Sequence, residues 1–207
     1  LRSELGPDET TISLSCPNPS LGCLDSLAVF MFRRGEDAST LVTGFTVRVA
    51  EEVRIVARVH GMSFLGSSPR IANCRIVECA GNGLEIMDSS PTIVSCELSR
   101  HLFNGVNCVD MSSPVFEGCQ LLDNRNAGLR SFDSAPTLRG CLVARNMQGG
   151  ILSLERSHVT LESCRILENS GLIGGGVRCD QSRVTLRLCH VERNIATRGG
   201  GLSCDLG

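Results

Sequence analysis

The chain has 207 residues, 42% hydrophobic and 20% charged, with a formal net charge of −2. That balance fits one globular domain with a substantial core, and it lacks the basic footprint that nucleic acid or an anionic membrane would need. All 20 basic residues are Arg, and Trp and Tyr are absent. Lysine chemistry is therefore excluded, and a sugar ring would find only Phe faces to stack on.

Residues 1–38 show no clear repeat and are expected to form an irregular N-terminal coil or cap. Cys16 and Cys23 in this segment are the best disulfide candidates. The chain opens at Leu1 without an initiator Met or a signal peptide, as expected of a processed form or part of something longer. No apolar run reaches the ~18 residues of a transmembrane helix, so no membrane insertion is expected.

A repeating frame starts with "STLVTGFTV" (39–47). The next stretch, "RVAEEVRIVARVH" (48–60), exceeds one repeat and predicts an insertion, either a loop or a short helix. From there the period is regular. Pro69, Pro91, Pro114 and Pro136 are continued by Val159 and Val184. Each is followed five residues on by a cysteine: Cys74, Cys96, Cys119, Cys141, Cys164 and Cys189. Aliphatic or Phe residues flank the cysteines (Ile71, Ile93, Phe116; Ile76, Leu98, Leu121). A glycine column follows at Gly83, Gly105, Gly128, Gly150, Gly176 and Gly201. Local alternation such as Cys96-Glu97-Leu98 is the period-2 signature of a strand. A unit this short cannot bury its own apolar face, so it must stack on copies of itself.

Leucine-rich repeats share part of this frame, as in "LRGCLVARN" (138–146), with Asn124, Asn146, Asn169 and Asn194 in the Asn slot. The return segment argues otherwise, because "GGILSL" and "AGLRSF" read as a second strand leading into a sharp "SSPT" turn. The motifs "SSPRIANCRI", "SSPTIVSCEL", "SSPVFEGCQL" and "SAPTLRGCLV", with the GGG-[VL] runs at 174–177 and 199–202, resemble the right-handed parallel β-helix of the pectate-lyase-like superfamily. The resemblance covers residues 39–207. It implies an all-β, single-stranded parallel β-helix (solenoid) of about eight coils of 22–25 residues, a rod roughly 40 Å long. It implies several functions equally: polysaccharide lyases and epimerases, bacterial surface proteins, and non-catalytic recognition domains such as those of some F-box proteins.

The individual residues favour plain roles. Twelve Cys would fit a disulfide framework or a metal, but six share one inward slot, while Cys108, Cys179 and Cys204 share another with Ile86. Stacked thiols run parallel and fill an interior as small hydrophobes. Many unpaired thiols lean the expectation towards a reduced, intracellular compartment. Cys79 and His101 replace Asn in its column and are weak metal candidates, since zinc needs about four converging ligands. Asp88, Asp110, Asp133 and Glu155 share a slot before the Ser-x-Pro turn. They read as Asx-turn residues or, in an enzyme, as a Ca²⁺ groove or acid–base pair. Two columns, Glu78-Arg100-Asp123-Arg145-Glu168-Arg193 and Glu117-Arg139-Glu162-Arg187, alternate in sign and predict self-neutralised walls.

The leading expectation is thus a non-catalytic scaffold or recognition domain without a cofactor. It would present a rigid surface to a protein partner or neighbouring subunit, chiefly at the end of the C-terminal coil. The alternative is a carbohydrate-active β-helix enzyme acting on a polysaccharide through Asp110, Asp133 and Arg130. A second alternative is a bacterial or cell-surface β-helix segment.

Overall fold

In the computed structural model, which describes residues 1–14, 28–49 and 59–205, three parallel sheets run the length of the molecule. The first sheet holds seven strands, from Leu41–Thr43 through Thr92–Val94 to Arg183–Arg187. The second holds eight, from Thr11–Leu14 through Glu97–Ser99 to His190–Glu192. The third also holds eight, from Ala28–Phe32 through Val106–Val109 to Leu202–Asp205. Each strand pairs with its counterpart one repeat away, as in Leu98↔Leu121 and Phe116↔Leu138. This is the parallel β-helix the repeat predicts. Six regular coils start at Arg70; a longer coil and a two-stranded partial coil precede them, so eight equal coils was slightly too regular. The two strands of the partial coil come from residues 1–38 and pair with Thr46–Val49 and His60–Leu65. Those same two strands take in the edges of the 48–60 stretch; its middle, like Cys16 and Cys23, lies outside the described residues. No described helix is long and apolar enough to cross a membrane.

The inward columns form one core. Ile71, Ile93, Phe116, Leu138 and Leu161 from the first sheet meet Ile76, Leu98, Leu121, Val143 and Ile166 from the second, all fully buried. Burying each such side chain stabilises the stack by about 1.5–3 kcal/mol. Phe45 occupies the cysteine position of the first full coil and is buried with them.

Each coil turns at three corners, and all three follow one rule. The chain enters the left-handed region for one residue, or for two at Asp110–Met111 and Glu155–Arg156, and the next residue points a polar side chain inward. At the first corner Asn73, Ser95, Gly118, Gly140, Ser163 and Leu188 have φ of 50–60° and precede the six column cysteines. At the second, Glu78, Arg100, Asp123, Arg145, Glu168 and Arg193 have φ of 55–57° and precede Cys79, His101 and the four asparagines. At the third, Asp88, Met111, Asp133, Arg156 and Gln181 precede Ser89, Ser112, Ser134, Ser157 and Ser182. The left-handed region costs an L-residue roughly 1–2 kcal/mol, so the inward hydrogen bonds must hold the corners in place.

They do so in parallel ways. The Cys119 thiol, the Asn124 amide and the Ser112 hydroxyl donate to the carbonyls of Ile93, Leu98 and Ile86 at 3.4, 3.3 and 3.4 Å, each a core residue of the preceding coil. The cysteine column is therefore a hydrogen-bonded ladder as well as apolar filling. All ten described cysteines are free thiols.

At the last coil the same columns open to solvent: Leu202 is 50% and Leu186 36% exposed, and the cysteine column ends in half-buried Cys189.

Candidate functional site

The charged corners are largely self-satisfied. Arg100 reaches Glu78 at 3.2 Å, Arg145 holds Asp123 by two bonds of 2.7 and 2.8 Å, and Arg193 reaches Glu168 at 3.0 Å. Arg139 bridges Glu117 at 3.7 Å and Glu162 at 3.1 Å. These are the neutralised walls that sign alternation predicts. A hollow of about 360 Å³ beside Asn73 and Gln120 is crossed by Arg75, which ties Asp8 at 3.1 Å to Glu97 at 3.2 Å.

The residues read from the sequence as an enzymatic group separate into two places. Asp110 and Asp133 lie on the third corner with φ of 55° and 48°. Asp133 is held there by Arg156, through bonds of 3.2 and 3.0 Å. Neither carboxylate makes the Asx turn expected of it. The corner is closed by serines instead: the backbone N–H groups of Ser67 and Ser89 donate to Ser89 Oγ and Ser112 Oγ at 3.0 and 3.2 Å. Arg130 sits elsewhere, on the outward face of the third sheet, in register with Asn107 on one side and Leu152 on the other.

His101 fills the asparagine role. Its Nδ1 accepts the Cys79 backbone N–H at 3.1 Å, and its own N–H donates to Asn124 Oδ1 at 3.1 Å. The nitrogen facing Cys79 thus already holds a backbone donor. Among the described residues no three His, Cys, Asp or Glu side chains converge to hold a metal ion.

The outward face of the third sheet carries a different kind of row. Glu85 accepts Asn82 Nδ2 at 2.6 Å and Asn107 Nδ2 at 2.9 Å, and Arg130 Nη1 donates to Asn107 Oδ1 at 2.9 Å. His60 Nδ1 lies 3.8 Å from Glu85 and accepts the Asn82 backbone N–H at 3.1 Å. The Arg130 guanidinium stands 5.6 Å from the centre of the Phe132 ring, within cation–π range. Glu85, Asn107 and Arg130 are all half-buried. The row therefore places a carboxylate and a guanidinium two strands apart, about 9.6 Å at the usual strand spacing, with an amide orienting both. The reading of the sequence missed it, although the 22- and 23-residue spacing of 85, 107 and 130 was there to be found. It followed columns made of one residue type or of charges throughout, and this column mixes charged and neutral side chains.

Beyond Arg130 the same column continues to Leu152 and Arg178. There a short extra sheet, Ser170–Ile173 paired with Ile195–Arg198, stands beside the face as a lip. Between lip and sheet lies a cavity of about 500 Å³ lined by Met147, Gln148, Leu152, Leu172, Ile173 and Arg178. Arg178 is bonded to Asp180 on its own strand.

The family described as "Right handed beta helix region" matches residues 37–166 and 112–205. Among solved structures the chain is similar to the A-module of a mannuronan C-5 epimerase from Azotobacter vinelandii, at 18% identity and a TM-score of 0.54. That match covers 95% of this chain and 61% of the module, so the chain spans less than two thirds of its length. A pectate lyase is similar at 11% identity and a TM-score of 0.51, over 97% of this chain and 69% of the lyase. No curated protein matches the sequence. At these identities the likeness is one of fold.

Proposed function

From the premise that the chain belongs to the right-handed β-helix family, we propose that it is a carbohydrate-active β-helix that lays an acidic polysaccharide along the outward face of its third sheet. The observation that carries this reading is the oriented row Glu85–Asn107–Arg130. Arg130 is bonded within the row only to a neutral amide, so its charge is free to take a carboxylate, for which a guanidinium is the matching fork. Glu85, fixed by two amides with His60 3.8 Å away, is the group on the row able to accept a proton. Asp110 and Asp133 border the face from the third corner. The similar folds of a mannuronan epimerase and a pectate lyase, both named for polyuronates, support the same substrate class.

The test is calorimetric titration with polymannuronate and polygalacturonate. It is paired with ultraviolet detection of the double bond that β-elimination creates and with proton NMR in D2O for exchange at C5. We expect binding that weakens with salt and falls at least about ten-fold in Arg130→Ala, as loss of a charge-assisted fork implies. Absence of binding to both polymers, or full binding by Arg130→Ala, would overturn the reading.

A second reading, a scaffold with a protein partner or neighbouring subunit, draws on the open end of the last coil, where the column residues Leu202 and Leu186 reach solvent. Association of this kind would show in sedimentation equilibrium and would weaken in Leu202→Ser. A monomer at all concentrations that also captures no second subunit would count against it.

A further inference from the structure

We propose that the lip cavity is a subsite for a small ester substituent, an acetyl or methyl ester, on the polysaccharide that lies along the third sheet. The inference rests on the reading that this face binds such a polymer, and it concerns the position next to Arg130. Along the outward column Arg130 is followed in register by Leu152 and then Arg178. The two arginines differ in what they offer. Arg130 holds only an amide, whereas Arg178 is bonded to Asp180 and presents no uncompensated charge. Leu152 lies between them, and with Met147, Leu172 and Ile173 it forms the apolar walls of the cavity beside Arg178. Leu172 is 80% exposed and Met147 62%, so both side chains stand in water unless a ligand covers them. A free carboxylate would lose hydration against these walls without gaining a counter-charge. An ester instead buries its methyl group there, while its carbonyl accepts from the Gln148 amide or an Arg178 N–H. One strand spacing, about 4.8 Å, separates this place from the carboxylate position at Arg130. The bound polymer therefore carries a unit with a free carboxylate at Arg130, followed by a unit whose carboxylate (methyl ester) or hydroxyl (acetyl ester) is capped at the cavity.

The experiment measures affinity for four probes: acetylated mannuronan, the same polymer after alkaline deacetylation, methyl-esterified pectin and its de-esterified form. The wild-type protein is expected to prefer the esterified member of one pair about four-fold, the value of one buried CH2-sized group. The pair that shows the preference identifies acetyl or methyl ester as the substituent. Leu172→Ser and Met147→Ser, both at exposed positions, should erase the preference and leave affinity for the de-esterified polymer unchanged. Equal affinity for both members of each pair, or a preference that survives in both variants, overturns the ester subsite while leaving the polysaccharide track standing. Failure to bind any of the four removes the track and the subsite together.

Discussion

Asn146 Oδ1 accepts two hydrogen bonds from Asn124, the backbone N–H at 3.1 Å and the side-chain amide at 2.9 Å. Asn146 in turn donates to Asn169 Oδ1 at 2.9 Å and to the Leu121 carbonyl at 3.1 Å. Every polar atom of this fully buried amide is used. Asn146→Ala would leave two donors of Asn124 without an acceptor in a dry interior. The expected loss is about 2–4 kcal/mol, at the upper end for a single polar deletion. Urea denaturation followed by circular dichroism measures it, and a loss below about 1 kcal/mol would mean that the ladder does not hold the corner.

The repeat, the inward columns and the cysteine and asparagine ladders were legible because each is a period written in one residue type. The serine ladder was not. In the run Asp88-Ser89-Ser90-Pro91 an acid and two serines compete for the same turn, and only the left-handed bend at Asp88 decides that Ser89 points inward. The same bend turns Asp110 and Asp133 towards the outside of the corner. Arg156, left-handed itself, then reaches back to Asp133, a pairing that no column of Glu155 with Asp133 would give. The Arg130 row was hidden for another reason: its members share geometry but not chemistry, and a search for repeated residue types passes over them.

Two glycines separate steric need from conformational need. A Cβ at Gly128 would lie 2.6 Å from Val143 Cγ1 and 2.8 Å from the Gly150 carbonyl oxygen. At Gly140 nothing lies within 4 Å, but φ is +60°. Gly128→Ala must therefore push two coils apart and should cost more than about 3 kcal/mol, against roughly 1 kcal/mol for Gly140→Ala. Gly140→Asn should cost still less, because Asn occupies this bend at Asn73. Thermal melts of the three variants supply the ranking, and equal losses at both glycines would contradict the packing argument.

Arg145 sets a half-exposed ion pair against an unfavourable backbone angle, φ of 57°. Its charge is favoured first by its hydrogen bonds with Asp123. Arg145→Ala keeps the strained angle and loses the pair, an expected cost of about 0.3–1 kcal/mol. Arg145→Gly loses the same pair and relieves the strain, less the extra entropy of an unfolded glycine. The glycine variant should therefore be at least as stable as the alanine variant, within about 0.5 kcal/mol of wild type. Salt should weaken wild type relative to both variants, since the bridge is exposed to screening.

Buried thiols whose protons are held more tightly in the folded coil, Cys108 above all, cost the fold stability at alkaline pH. Burial first, and then the charge of Glu85, push the Cys108 thiol well above its ordinary 9.0. Cys141 is pushed up to about 12, chiefly through its hydrogen bond with Cys119, but the same bond draws the Cys119 thiol down, so the pair offsets itself and Cys108 carries the clearer effect. An unfolded chain releases these protons near pH 9, while the folded coil keeps them. Above pH 9 the native state thus binds more protons than the unfolded one, and stability falls as pH rises towards the folded values. Below pH 9 both states are protonated, and these thiols contribute no slope. Each such group adds about 1.4 kcal/mol per pH unit to the slope. Cys108→Val places a hydrophobe of similar size between Ile86 and Ser131 of the neighbouring coils and removes one titrating group. Its stability between pH 9 and 11 should decline less steeply than that of wild type by about that amount. Chemical denaturation at half-unit pH steps measures both slopes, and parallel curves would show that Cys108 titrates alike in the folded and unfolded chains.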